Sequence, residues 1–159
     1  MRKPFYMFIV VLMMAWVGSA WAEDLSKPGD LKEVSLVQEK GVKGEAKGKL
    51  VINTANGTDL AIKITGLDPK GLYTAFFVNV QSQMFEGIGP VPHVLKVNDK
   101  GEVDFKGTMK KDIYMRFVMI GIYLNPGGTP IPNPVGVKSS LGPLVEKEKP
   151  KLILKGNLR

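Results

Sequence analysis

KGKLVINTANGTDLAIKITGL, residues 47–67, decides the fold class. Leu50 and Ile52 alternate with Lys49 and Val51, and beyond Asn56-Gly57 the positions Leu60, Ile62 and Ile64 alternate with Ala61 and Lys63. A period of two puts successive side chains on opposite faces of a strand, one face buried and one wet. Asn-Gly between two such runs signals a tight hairpin, because both residues tolerate the positive φ of a type I′ turn. The reading is a pair of antiparallel strands, 48–53 and 59–65, turning at Gly57.

The same alternation of strand and turn continues downstream. GLDPKGLYTAFFVNV (66–80) turns at Asp68-Pro69-Lys70-Gly71 and then reads as a strand over 72–80, whereas QSQMFEGIGPVP (81–92) reads as a looser stretch. HVLKVNDKGEVDFKGTM (93–109) reads as a second hairpin around Asp99-Lys100-Gly101, with Gly101 at the left-handed position. DIYMRFVMIGIYL (112–124) reads as one strand on which Ile113, Met115, Phe117 and Met119 share a core face, and KLILKGNLR (151–159) as a last strand in a C-terminal segment. Prolines 126, 130, 132 and 134 cannot extend a ladder, so the strand stops near Asn125 and the chain runs on as a connector. Pro130 and Pro132 also suit a second use, as a preformed proline segment that docks in a groove. Helical periodicity of any length is missing. The fold class expected is all-β, an antiparallel immunoglobulin/fibronectin-III-like β-sandwich forming one domain over residues 33–159.

In ITGLDPKGLY (64–73), Gly66, Leu67, Pro69 and Tyr73 stand at the spacing of a tyrosine corner. There a buried phenol ring joins the core while its hydroxyl bonds upstream backbone where the chain passes between sheets. Such a crossing leaves backbone groups unpaired, and a single phenol can satisfy one of them. Tyr73, Pro69, Gly66, Gly57 and Gly101 are therefore read as structural.

More of the pattern resembles one family. Gly48-Lys49-Leu50 opening a strand, Gly66-Leu67-x-Pro69 leading to Tyr73, the Val97-Asn98-Asp99-Lys100-Gly101 hairpin, and the exit Asn125-Pro126-Gly127-Gly128-Thr129-Pro130 are together similar to the extracytoplasmic C-terminal domain of anti-sigma-K factors. The resemblance spans about residues 46–143. Phe76 and Phe77 stand where that family typically has a tryptophan, and Asn125 where it has an acid. Neither a sigma-binding segment nor a membrane span precedes the domain. The resemblance thus implies a free-standing exported sensory or interaction module, and sigma-factor inhibition is not carried over.

MRKPFYMFIVVLMMAWVGSAWAED (1–24) supplies the export signal: Arg2 and Lys3, an apolar run from Phe5 to Val17, and small residues Ala20 and Ala22 around Trp21. That order reads as a secretory signal peptide, 1–22, cleaved after Ala22 and followed by a polar leader, 23–32. Residues 1–22 carry two of the 22 basic residues and none of the 15 acids, so the remaining 137 residues have a net charge of +5. A cysteine count of zero rules out disulfides and lipid attachment through cysteine. The expected setting is a bacterial periplasm or the secreted space. No transmembrane segment follows, and the partners expected are an envelope protein or an anionic polymer, not nucleic acid.

Chemistry is sparse. His93 is the one histidine, Gly-x-Ser-x-Gly does not occur, and Ser139-Ser140 has no base near it in sequence. No catalytic residue, no cofactor and no enzymatic activity are expected. The alternative reading is a small copper-binding protein using His93 with Met84 and Met109, since thioethers and imidazole suit a soft ion, although no Met-x-Met spacing gives a ligand cluster. Asp99, Glu102 and Asp104 read as turn acids. The runs 75–85 and 118–124 are apolar on both faces, as in a covered central strand or an exposed patch that includes Phe85. Lys43, Lys47, Lys49 and Lys63 sit at outward positions of the first hairpin, either protecting an edge or offering a basic face to an anionic partner.

Overall fold

The computed structural model describes residues 30–82, 84–130 and 149–159, and the regular elements among them are all strands. They are β1 (Leu31–Gln38), β2 (Lys47–Asn53), β3 (Asp59–Thr65), β4 (Tyr73–Asn79), β5 (Met84–Gly87), β6 (Val94–Leu95), β7 (Val103–Thr108), β8 (Met119–Leu124) and β9 (Lys151–Asn157). All pair antiparallel, in one sheet of order β5-β4-β8-β9-β1-β2-β3-β7, with β6 beside β4. The expected signal peptide, Ser139-Ser140, Pro132 and most of the leader lie outside the described residues.

The sheet curls around one apolar face. Leu50 and Ile52 on β2, Leu60, Ile62 and Ile64 on β3, Ala75 and Phe77 on β4, and Ile120 and Ile122 on β8 all belong to a single buried cluster. The curl runs through β1. Its residues 31–36 pair with β2, while Val37 and Gln38 pair with Lys155 and Leu154 of β9. The Gln38 amide holds the following loop, donating to Val42 O at 2.7 Å and accepting from Ala46 N at 2.7 Å.

Several sequence expectations change here. Leu31 and Lys32, assigned to the leader, open β1, because Val34 and Leu36 alternate into the core. The Asn56-Gly57 turn is not a two-residue type I′ turn: Gly57 has positive φ (64°) and Asn56 does not. The Asn56 side-chain oxygen instead accepts from Thr58 N and Asp59 N, building a longer Asx-stabilised loop. β5 forms within the stretch read as loose, pairing Phe85 with Val78. The Asp99–Gly101 turn does form, with Gly101 N donating to Asn98 O at 2.9 Å. Its flanks then part, β6 joining β4 and β7 joining β3, so it is a crossing and not a hairpin.

The segment 112–124 is also not one strand. Asp112 Oδ1 accepts from Met115 N and Phe117 N donates to Ile113 O, which makes a helix-like turn before β8 begins. That turn puts Ile113 and Phe117 four residues apart in the core and leaves Met115 66 % exposed, so the shared face with Met115 does not exist. β8 itself lies between β4 and β9, buried on both faces. Asn125 ends it and is buried, with its backbone N donating to Leu72 O and its side-chain amide to Thr74 Oγ1.

At the β3–β4 crossing the Tyr73 ring is buried and its hydroxyl accepts from Asp68 N at 3.1 Å. Leu67 N donates to Gly101 O at 3.0 Å, which ties this crossing to the one between β6 and β7. A Cβ at Gly101, where φ is +75°, would lie 2.1 Å from Leu67 O. Gly128 has a similar φ of +68° but nothing within 4 Å. Gly101→Ala is therefore expected to lower unfolding free energy by at least about 1 kcal/mol more than Gly128→Ala, since both bear the left-handed cost and Gly101 alone bears the clash. Urea unfolding of the two variants checks this, and equal losses would refute the tie.

Burial pushes the Tyr73 and Tyr123 phenols above the ordinary value of 10.0. With the folded pKa raised, the associated stability is whole below pH ~10 and is lost as pH climbs through the folded values. Tyr73→Phe is expected to cost about 1–2 kcal/mol at pH 7, by stranding the Asp68 N–H, and to flatten the alkaline decline of the urea midpoint. Midpoints measured from pH 7 to 11 test both effects.

Candidate functional site

β5 and β6 act as one strand along β4, interrupted by an excursion over residues 88–93. Ala75 of β4 closes its neck, accepting from Ile88 N at 2.9 Å and donating to His93 O at 3.3 Å. Inside, His93 N donates to Pro90 O at 2.7 Å and His93 Nδ1 lies 3.0 Å from Gly89 O. A carbonyl only accepts, so Nδ1 carries the proton and Nε2 is left as the acceptor in the neutral ring. The ring packs edge-on to Phe76 with centroids 5.6 Å apart and covers Gly87, where a Cβ would lie 2.2 Å from it. His93 holds a φ of 66°, the one non-glycine residue with positive φ among the described residues. Val91, at the tip of the excursion, is 82 % exposed.

Facing this excursion is β7, the other end of the sheet. Between them lies a cleft of about 560 Å³, lined by Glu86, Gly89, Val91 and His93 on one wall and by Phe105, Lys106, Thr108 and Lys110 on the other. Met109 is buried below it in the core cluster. Phe105 spans the narrow part: its ring lies against Gly89 and folds over Gly107, where added Cβ atoms would approach to 3.1 and 2.8 Å. The end strands β5 and β7 are not paired with each other.

The copper set is brought together only in part: His93 and Met109 both line the cleft, and Met84 does not. Gly87 pairs with Phe76 on the face that His93 covers, whereas Met84 is three residues away, an odd step that reverses the face, and packs on the core cluster with Met109. Among the described residues no group of three or more His, Cys, Asp or Glu side chains could hold a metal.

The predicted basic face is mixed in sign. Lys47, Lys49 and Lys63 surround a shallow depression of about 450 Å³ together with Glu33. Lys49 pairs with Glu33 at 2.9 Å and Lys63 with Asp104 at 3.4 Å. β2 and β3 lie inside the sheet order, so these lysines protect no edge, and Lys43 is exposed in the β1–β2 loop and not on the hairpin. Phe85 is half-buried against Phe76, Val78 and Tyr123 and is not an open patch. Pro130 is half-buried at the end of the described segment. The excursion escaped the sequence reading, although Gly89-Pro90-Val91-Pro92 before the one histidine marked a constrained loop.

No protein family, no curated protein and no solved structure matches the chain.

The left-handed backbone at His93 distinguishes two substitutions. Asparagine tolerates this region and a β-branched residue does not, so His93→Val is expected to lose about 1–3 kcal/mol more than His93→Asn. Chemical unfolding with amide exchange over residues 88–93 measures this; equal stability and equal protection of the two variants would show that the loop does not depend on this conformation.

Proposed function

We propose that this chain is an exported, non-enzymatic β-sandwich protein of immunoglobulin/fibronectin-III-like build, acting as an interaction or sensory module in a bacterial envelope. Its partner is an envelope protein or an anionic polymer. The observation that carries this reading is the cleft between β5 and β7, where a pinned loop presents exposed Val91 opposite Lys106 and Lys110. A rigid loop beside a preformed cleft binds with little ordering cost. The all-β sheet, the tyrosine at the β3–β4 crossing and the resemblance to anti-sigma-K extracytoplasmic domains support the sandwich assignment. The basic, cysteine-free composition and the leader-like residues 1–22 support export. No helix among the described residues is long and apolar enough to cross a membrane.

Photo-crosslinking in intact cells tests the reading. A crosslinker at Val91 is expected to give a discrete adduct that one at Val37, 62 % exposed on β1, does not, from a protein whose N-terminus is Glu23. An uncleaved chain, or identical adduct patterns from both positions, would overturn it.

A further inference from the structure

We propose that Asn56-Gly57 is a site of spontaneous deamidation that the fold holds closed, so that aspartate or isoaspartate at position 56 marks a chain whose β2–β3 loop has opened. Asn56 is the one asparagine in the chain followed by glycine. The reaction needs only water. The Gly57 nitrogen gives up its proton to solvent base and attacks the Asn56 side-chain carbonyl carbon; the N–Cγ bond forms, the Cγ–Nδ2 bond breaks, and ammonia leaves after taking up a proton. Water then opens the five-membered succinimide at either carbonyl, giving aspartate or isoaspartate. Glycine suits the reaction because no Cβ shields its nitrogen.

Burial does not prevent this, because Asn56 is exposed. Hydrogen bonds do. The Gly57 N–H donates to Asn53 O at 2.8 Å, which favours its protonated form. The carboxamide under attack is fixed at both ends: Oδ1 accepts from Thr58 N at 2.9 Å and Asp59 N at 3.1 Å, and Nδ2, the leaving group, donates to Asp59 Oδ2 at 2.8 Å. Bond formation at Cγ displaces Oδ1 and release of ammonia detaches Nδ2, so the reaction works against each of these bonds.

The restraint is anchored outside the loop. Thr108 Oγ1 of β7 donates to Asp59 Oδ1 at 2.7 Å, Gly57 O accepts from Ile113 N at 2.7 Å, and Thr58 O accepts from Met109 N at 2.9 Å. Asp112 packs so closely on Gly57 that a Cβ there would lie 2.1 Å from its Oδ1. Turning the Gly57 peptide therefore loosens the chain between β7 and β8, and the reaction runs through opening of the loop. Closing does not reverse it. An acid at position 56 loses the donor that met Asp59 and sets two carboxylates side by side, and isoaspartate also lengthens the main chain. None of this depends on the interaction role.

The test incubates the full chain at mildly alkaline pH, folded and in guanidinium chloride, and follows residue 56 by peptide mapping with mass spectrometry. Deamidation is expected to be at least about tenfold slower in the folded protein. Asp59→Ala, which releases Nδ2, is expected to deamidate several-fold faster than the folded parent once circular dichroism shows that it is folded. Should it not fold, Thr108→Val, which removes the anchor of the Asp59 carboxylate, takes its place with the same expectation. The isolated isoaspartyl form is expected to exchange its Met109 and Ile113 amides faster than the parent does. Equal rates in the folded and unfolded parent, no acceleration in the folded variant, or unchanged exchange at both amides overturns the inference.

Discussion

A sheet that curls must carry its chain from one half to the other without stranding amides, and here two such passages are sewn to each other. Leu67 on the β3–β4 crossing donates its N–H to Gly101 O on the β6–β7 crossing. The Tyr73 hydroxyl then takes the Asp68 N–H one residue further on, and the Asn98 side chain takes the N–H groups of Lys100 and Glu102. A buried or half-buried amide without an acceptor costs about as much as a lost hydrogen bond, so these few bonds decide where the chain can cross. Because Gly101 sits against Leu67 O with no room for a side chain, the two crossings fix each other's position, and β4, β6 and β7 follow from that point.

β1 supplies the third passage by a different device. It remains a strand and changes partners, from β2 to β9, after Leu36. The two halves of the sheet thereby share one apolar face, but their outer faces differ. β2 and β3 present Lys49 and Lys63 with their acidic partners, whereas β4 and β8 bury Phe76, Val78 and Tyr123 beneath Phe85, Met119 and Leu152. Tyr123 reaches this arrangement by folding over Gly121, where a Cβ would lie 2.7 Å from its ring.

What was legible in the sequence was whatever depends on period and on turn chemistry. The alternation at Leu50, Ile52, Leu60, Ile62 and Ile64 is the alternation of the core face, and the double-sided apolar run at 119–124 is a central strand. Partner choice was not legible, because it depends on contacts remote in sequence. Asp99-Lys100-Gly101 specifies a turn, and nothing local says that its arms go to β4 and to β3. Likewise Met115 fits a period-two pattern with Ile113 and Phe117, yet Asp112 caps the segment into a turn whose period is four. The cleft was hidden for the same reason: its walls lie at opposite ends of the sheet, and only the curl brings Gly89 to Phe105.

The incomplete closure of the sheet has a physical cause in the excursion over residues 88–93. Had β5 run directly into β6, their common edge would have been a continuous strand facing β7, and two bare antiparallel edges that meet at strand spacing pair with each other. The excursion interrupts that edge at Ala75 and turns Gly89 and Val91 outward, so that Phe105 meets a loop where it would have met a strand. His93 keeps the interruption in place, through the Gly89 carbonyl on one side and the Phe76 ring on the other, at a backbone geometry that few non-glycine residues adopt. Strain at one residue and the lack of β5–β7 pairing among the described strands are thus two aspects of one arrangement.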